Sequence, residues 1–104
     1  MKEIFGEAWE RLFHPPIAHR GLWSAEGCPE NSLGAFQAAG SAGYNIELDV
    51  QLTADGEAVV FHDATLSRMT GTPGRVADHT AADLGRLRLA GTDETVPTLA
   101  EALT

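Results

Sequence analysis

Three short apolar runs, each carrying ionisable side chains at or near its end, constrain this chain more than any other feature. Ile17-Ala18-His19 runs into Arg20-Gly21. Residues 45–52 carry Glu47-Leu48-Asp49. Residues 58–62, built around Val59-Val60-Phe61, end on His62 and run into Asp63. Runs of this length bounded by turn residues read as strands. Between the first two, Ser32 stands where an N-cap is needed for a helix over residues 33–42, which Gly43 would close. Strands alternating with helices predict βα units and a parallel sheet. In such folds the functional side chains gather at strand C-termini and in the loops that follow.

The rest of the chain fills in around this frame. Ile4, Phe5, Ala8, Trp9, Leu12 and Phe13 recur at helical spacing, which predicts an amphipathic helix over residues 2–13 that His14-Pro15-Pro16 ends. Ala54-Asp55-Gly56 is a turn signal. Residues 65–76, with Gly71, Pro73 and Gly74, read as a loop, and Thr80 is placed to cap a short helix near residues 81–88. Thr98 and Glu101 form a T-x-x-E capping box that announces another helix. Six residues follow Thr98, fewer than the roughly 8–20 of a globular helix. The chain is therefore expected to end inside an element, and its 104 residues to form one domain or part of one.

Composition narrows the function classes. Fifteen acidic residues against seven basic ones give a net charge of −8, which argues against a nucleic-acid binder with its basic stripe. The single cysteine, Cys28, allows neither an internal disulfide nor a thiolate metal cluster and reads as a bystander. No apolar run approaches the roughly 20 residues of a membrane span, so no stable membrane insertion is expected. Charges at Lys2, Glu3, Glu7, Glu10 and Arg11 interrupt the start of the chain, unlike a secretory signal, and a cytoplasmic location is expected.

The ionisable residues suggest a chemistry. Side chains two apart on a strand point the same way, so Glu47 and Asp49 would share a face. Two adjacent carboxylates repel unless a cation or proton compensates, and oxygen-rich sites of this kind suit Mg2+ or Ca2+. An E-x-D pair is also what the polar face of an edge strand looks like. His19 and His62, each near a strand end, are of the type that works as general acid or base near neutral pH, although single histidines are more often structural. Arg20 could offer a fork to a phosphate or simply form a salt bridge. Glu30 could hold Arg20 in place or only mark the start of a loop. His14, beside two prolines, and His79, in a polar stretch, read as surface residues.

Taken together, the islands resemble the glycerophosphodiester phosphodiesterase family, and its bacterial cytoplasmic members in particular. The resemblance runs through His19-Arg20-Gly21, Pro29-Glu30-Asn31-Ser32, Ala35-Phe36, Gly43, Glu47-Leu48-Asp49-Val50, Thr53, Asp55-Gly56, Val60, His62-Asp63, Leu66 and Arg68. It ends in Val96-Pro97-Thr98-Leu99-Ala100-Glu101, so it covers about residues 17–104. It implies a TIM-like (β/α)8 barrel and metal-dependent hydrolysis of glycerophosphodiesters to glycerol 3-phosphate and an alcohol. By motif position, His19 and His62 would be the acid–base pair, and Arg20 would contact the substrate phosphate. Glu30 and Asn31 would support the first catalytic loop, and Glu47 and Asp49 would bind a divalent ion, Mg2+ or Ca2+.

A complete barrel of this kind takes about 250 residues, against three clear strands here. The expectation is therefore the N-terminal portion of a barrel, truncated, lacking a further glutamate ligand that family members carry on a later strand. Unpaired edges in such a portion would invite self-association. Two alternatives stay open: a sphingomyelinase-D-like phospholipase on a related barrel, and a non-catalytic interaction module. An amidohydrolase is disfavoured, because the H-x-H pair expected after the first strand is missing.

Overall fold

The computed structural model describes residues 16–104; the helix predicted over residues 2–13, and His14, lie outside them. Strand β1 (Ile17–His19) leads through a loop into helix α1 (Leu33–Ser41), which returns the chain to β2 (Asn45–Glu47). β1 and β2 pair in parallel with Ile17 opposite Asn45 and His19 opposite Glu47. The predicted α1 cap forms. Ser32, fully buried, accepts from the Ala35 amide at 3.1 Å and donates its hydroxyl to the Pro29 carbonyl at 2.7 Å. Ala42 then caps the C-terminus, and Gly43 turns the chain at φ 78°.

The single strand expected over residues 45–52 is two. After β2 the ladder stops at Leu48 and Asp49, and β3 (Val50–Leu52) pairs antiparallel with β4 (Ala58–Val60), Gln51 lying opposite Val59. The wholly parallel sheet is thereby corrected. A parallel partner needs a crossover of a dozen or more residues, whereas Thr53 closes directly onto Glu57 through an amide–carbonyl bond of 2.9 Å. Gly56, at φ 78°, makes that tight return possible. Phe61 and His62 leave the β4 ladder, but the Phe61 amide still donates to the Asp49 carbonyl at 2.9 Å. The Gln51 side chain donates to the carbonyls of Phe61 and Asp63, at 2.8 and 2.7 Å. These bonds aim the chain after β4 back toward the end of β2.

Downstream, the expected loop over residues 65–76 contains helix α2 (Ser67–Thr70), closed by left-handed Gly71. A 3-10 turn (Val76–Asp78) precedes helix α3 (Ala81–Leu84), half the length expected, because Gly85 already caps it. The capping box forms at helix α4 (Leu99–Ala102), with Thr98 accepting from Glu101 N and the Glu101 carboxylate accepting from Thr98 N. The main core, Val59, Phe61, Leu66, Met69, Val76, Leu84, Leu89 and Val96, lies between β4 and these short elements. A smaller buried set, Ala18, Ala35, Phe36 and Ala39, joins α1 to β1. By contrast, Ile17, Ile46, Val50 and Leu52 on the strands are exposed.

Candidate active site

The end of β1 builds the first half of the site. Arg20 adopts φ 60° and Gly21 φ 83°, so the chain turns sharply just after His19. Gly21 is required twice over. Its backbone is left-handed, and a Cβ there would lie 2.9 Å from Ala35 Cβ and 3.0 Å from the Phe36 ring. The loop after β1 is thus pressed onto α1. The Asn31 amide donates to the Arg20 carbonyl at 2.9 Å, closing residues 20–31 into one loop.

Six of the seven predicted site residues meet another of the set; His62 does not, and is reached through Asp63. His19 Nε2 lies 3.3 Å from Glu47 Oε1, across the parallel β1–β2 register. Asn31 donates Nδ2 to Asp49 Oδ2 at 3.1 Å, and Arg20 Nε lies 3.7 Å from the same oxygen. Arg20 Nη1 donates to Glu30 Oε2 at 3.0 Å. Glu30, only 5 % exposed, is a buried carboxylate that would be costly without such partners.

Two residues to which sequence reasoning assigned no role complete the arrangement. Arg68, on α2, donates to both oxygens of Glu30 at 2.9 Å. Through Nε and Nη2 it also donates to both oxygens of Asp63, at 2.8 and 3.1 Å. Asp63 Oδ1 in turn lies 2.7 Å from His62 Nδ1. The legible signal was an aspartate directly beside a candidate histidine, with an arginine five residues on. The contact to Glu30, 38 residues away in the chain, left no trace in any local pattern.

The electrostatics follow the hydrogen bonds. Arg68 holds the Glu30 carboxyl below the usual carboxylate range, against the burial that pushes it up. Asp63 is lowered to about 2, first by its bonds from Arg68 and then by His62. Both carboxylates raise Arg68 further above its already high value, so all three groups are charged near neutral pH. A cleft of about 170 Å3 opens beside this network, lined among others by Trp23, Pro29, Glu30, Arg68 and Met69.

Among the described residues, no group of three or more His, Cys, Asp or Glu side chains is arranged to hold a metal. Glu47 and Asp49 supply two carboxylates. Beside Asp49, the buried Asn31 Oδ1 has no hydrogen-bond partner among the described residues. A buried acceptor without a donor is costly, and carboxylate and amide oxygens are the hard donors that a divalent cation takes.

The chain has known relatives. The model of the glycerophosphoryl diester phosphodiesterase family matches residues 19–104, from the first of these histidines to the last residue. The chain belongs to that family. A glycerophosphodiester phosphodiesterase of Caldanaerobacter subterraneus subsp. tengcongensis is 44% identical over 94 residues, covering 82% of this chain and 37% of that protein. The human glycerophosphodiester phosphodiesterase 1 is 40% identical over 96 residues, covering 84% of this chain and 28% of its own. Among solved structures, an Oleispira antarctica phosphodiesterase in complex with its product sn-glycerol-3-phosphate superposes with a TM-score of 0.73 at 41% identity. That match covers 83% of this chain and 37% of the other. The glycerophosphodiester phosphodiesterase of Thermotoga maritima gives a TM-score of 0.70, also at 41% identity. The chain therefore spans about a third of the length of these relatives and folds as a portion of the family's TIM barrel.

Proposed function

We propose that this chain carries the acid–base half of a glycerophosphodiester phosphodiesterase, which hydrolyses glycerophosphodiesters to glycerol 3-phosphate and an alcohol. The observation that carries the reading is the pairing of two histidines with separate carboxylates, His19 with Glu47 and His62 with Asp63, in a chain of this family. His19 and His62 remain accessible, with side chains 61% and 42% exposed. One histidine takes the proton from the oxygen that attacks phosphorus. The other delivers a proton to the alkoxide as its bond to phosphorus breaks. The attacking oxygen is either water or a neighbouring glycerol hydroxyl. Arg20, which donates to Glu30, would meet the phosphate. Glu47 and Asp49 would hold a divalent cation, Mg2+ or Ca2+, which when bound neutralises phosphate charge.

The test is release of glycerol 3-phosphate from glycerophosphocholine, with Mg2+ or Ca2+ and with chelator. It compares the 104-residue chain with a version extended to the length of its relatives. The extended protein should turn over only with metal. His19→Ala and His62→Ala should each lower the rate roughly 100- to 10,000-fold, and Glu47→Gln should raise the metal concentration required. Wild-type rates in all three variants would sink the assignment. A second reading, a non-catalytic module that pairs through its open sheet edges, draws on the exposed Ile17, Ile46, Val50 and Leu52. It predicts a stable oligomer indifferent to divalent ions.

A further inference from the structure

The contacts around Arg68 reach beyond simple support. Its guanidinium spends four hydrogen bonds on two carboxylates, two on Glu30 and two on Asp63. Glu30 is buried and also anchored by Arg20, so it provides a fixed platform from which Arg68 reaches outward. Asp63 is thereby gripped through both oxygens by a permanently protonated donor. An ionised carboxylate only accepts hydrogen bonds. The imidazole nitrogen 2.7 Å from Asp63 Oδ1 must then be the one that bears hydrogen, and this nitrogen is His62 Nδ1.

We infer that Arg68 and Asp63 are positioning residues that hold neutral His62 as its Nδ1–H tautomer, leaving the Nε2 lone pair to accept a proton. A histidine's two nitrogens are distinguished by the bond one of them makes, and a wrong tautomer cannot serve as base at the intended atom. Lysine could replace Arg68 only in part, because the three donors of an ammonium cannot make two bonds to each of two carboxylates. The same residue also ties the loop after β4 to the loop after β1, since Glu30 belongs to the segment that holds Arg20. The catalytic meaning of the tautomer rests on the reading of His62 as an acid–base residue. The tautomer itself does not.

The experiment is long-range 15N–1H NMR of the imidazole rings in the 104-residue chain, in alkaline solution where they are neutral. His62→Gln identifies the His62 signals. Wild-type His62 should show the Nδ1–H pattern as the dominant form. Asp63→Ala and Arg68→Met should each raise the Nε2–H fraction several-fold, and Arg68→Lys should restore it only in part. Amide spectra of each variant report whether the fold persists, and the wild-type tautomer is decisive even if a variant unfolds. A predominantly Nε2–H ring in the wild type, or an unchanged ring in folded Arg68→Met, would overturn the inference. The readout does not depend on turnover, so failure here and failure of the hydrolase reading give different results: a wrong tautomer with active enzyme, or the right tautomer with none.

Discussion

At the scale of single residues, the site joins the buried carboxylate of Glu30 to more exposed charges in one network. Asp63 titrates at about 2 instead of 3.8, because Arg68 and His62 both favour its charged form. A carboxylate lowered by folding adds stability above its unfolded pKa and loses that contribution as pH falls through its folded one. Glu30 is lowered as well and acts in the same direction. Urea titrations should therefore show stability falling between about pH 4 and pH 2. Asp63→Asn should cost about 1–2 kcal/mol at neutral pH and flatten that acid limb. A limb as steep in the variant as in the wild type would show that Asp63 is not what titrates. Of this network, His19, Arg20, Glu47, Asp49 and His62 were legible as ionisable residues near strand ends, and Glu30 and Asn31 as part of a loop motif that the family resemblance carries. Arg68 was matched in the motif series without a role, because its partners are set by how two distant loops fold together.

At the scale of elements, the site depends on two close approaches of backbone. Gly21 sits at φ 83° against Ala35 and Phe36 of α1, so Gly21→Ala combines a strained conformation with overpacking. The expected loss is about 2–3 kcal/mol, measured by thermal or urea unfolding. The same change should broaden the His19 and Arg20 resonances, because the loop they occupy must shift off α1. An unfolding midpoint within error of wild type would mean that the loop relaxes without cost. The second approach is the break at Leu48–Asp49, where the chain leaves the parallel β1–β2 pair and enters the β3–β4 hairpin. The apolar alternation from 45 to 52 is continuous across it, so periodicity read one strand. The Ala54-Asp55-Gly56 turn was legible, but that it returns the chain antiparallel is set by the hairpin bonds around Thr53 and Glu57.

At the scale of the whole molecule, the described residues expose apolar strand positions. Leu52 is 64% exposed, Val50 45%, Ile17 41% and Ile46 39%. Edges and apolar faces of this kind favour association. The 104-residue chain should self-associate at micromolar concentrations in sedimentation velocity, and Leu52→Lys should shift the distribution toward monomer. A wild-type chain that stays monomeric across that range would show that these residues do not make a sticky surface. No helix among the described residues is long and apolar enough to cross a membrane.

The sequence by itself determined the family, the α1 cap at Ser32, the capping box at Thr98 and Glu101, and the identities of the candidate acid, base and ligand residues. These depend on local chemistry: caps act within one turn, and reactive side chains are visible wherever they stand. Only the tertiary structure decided that the second strand splits, that β3 and β4 run antiparallel, and that Arg68 joins Glu30 to Asp63 behind His62. Those outcomes depend on contacts between residues far apart in the chain, where burial of a charge such as Glu30 demands partners that local spacing cannot name.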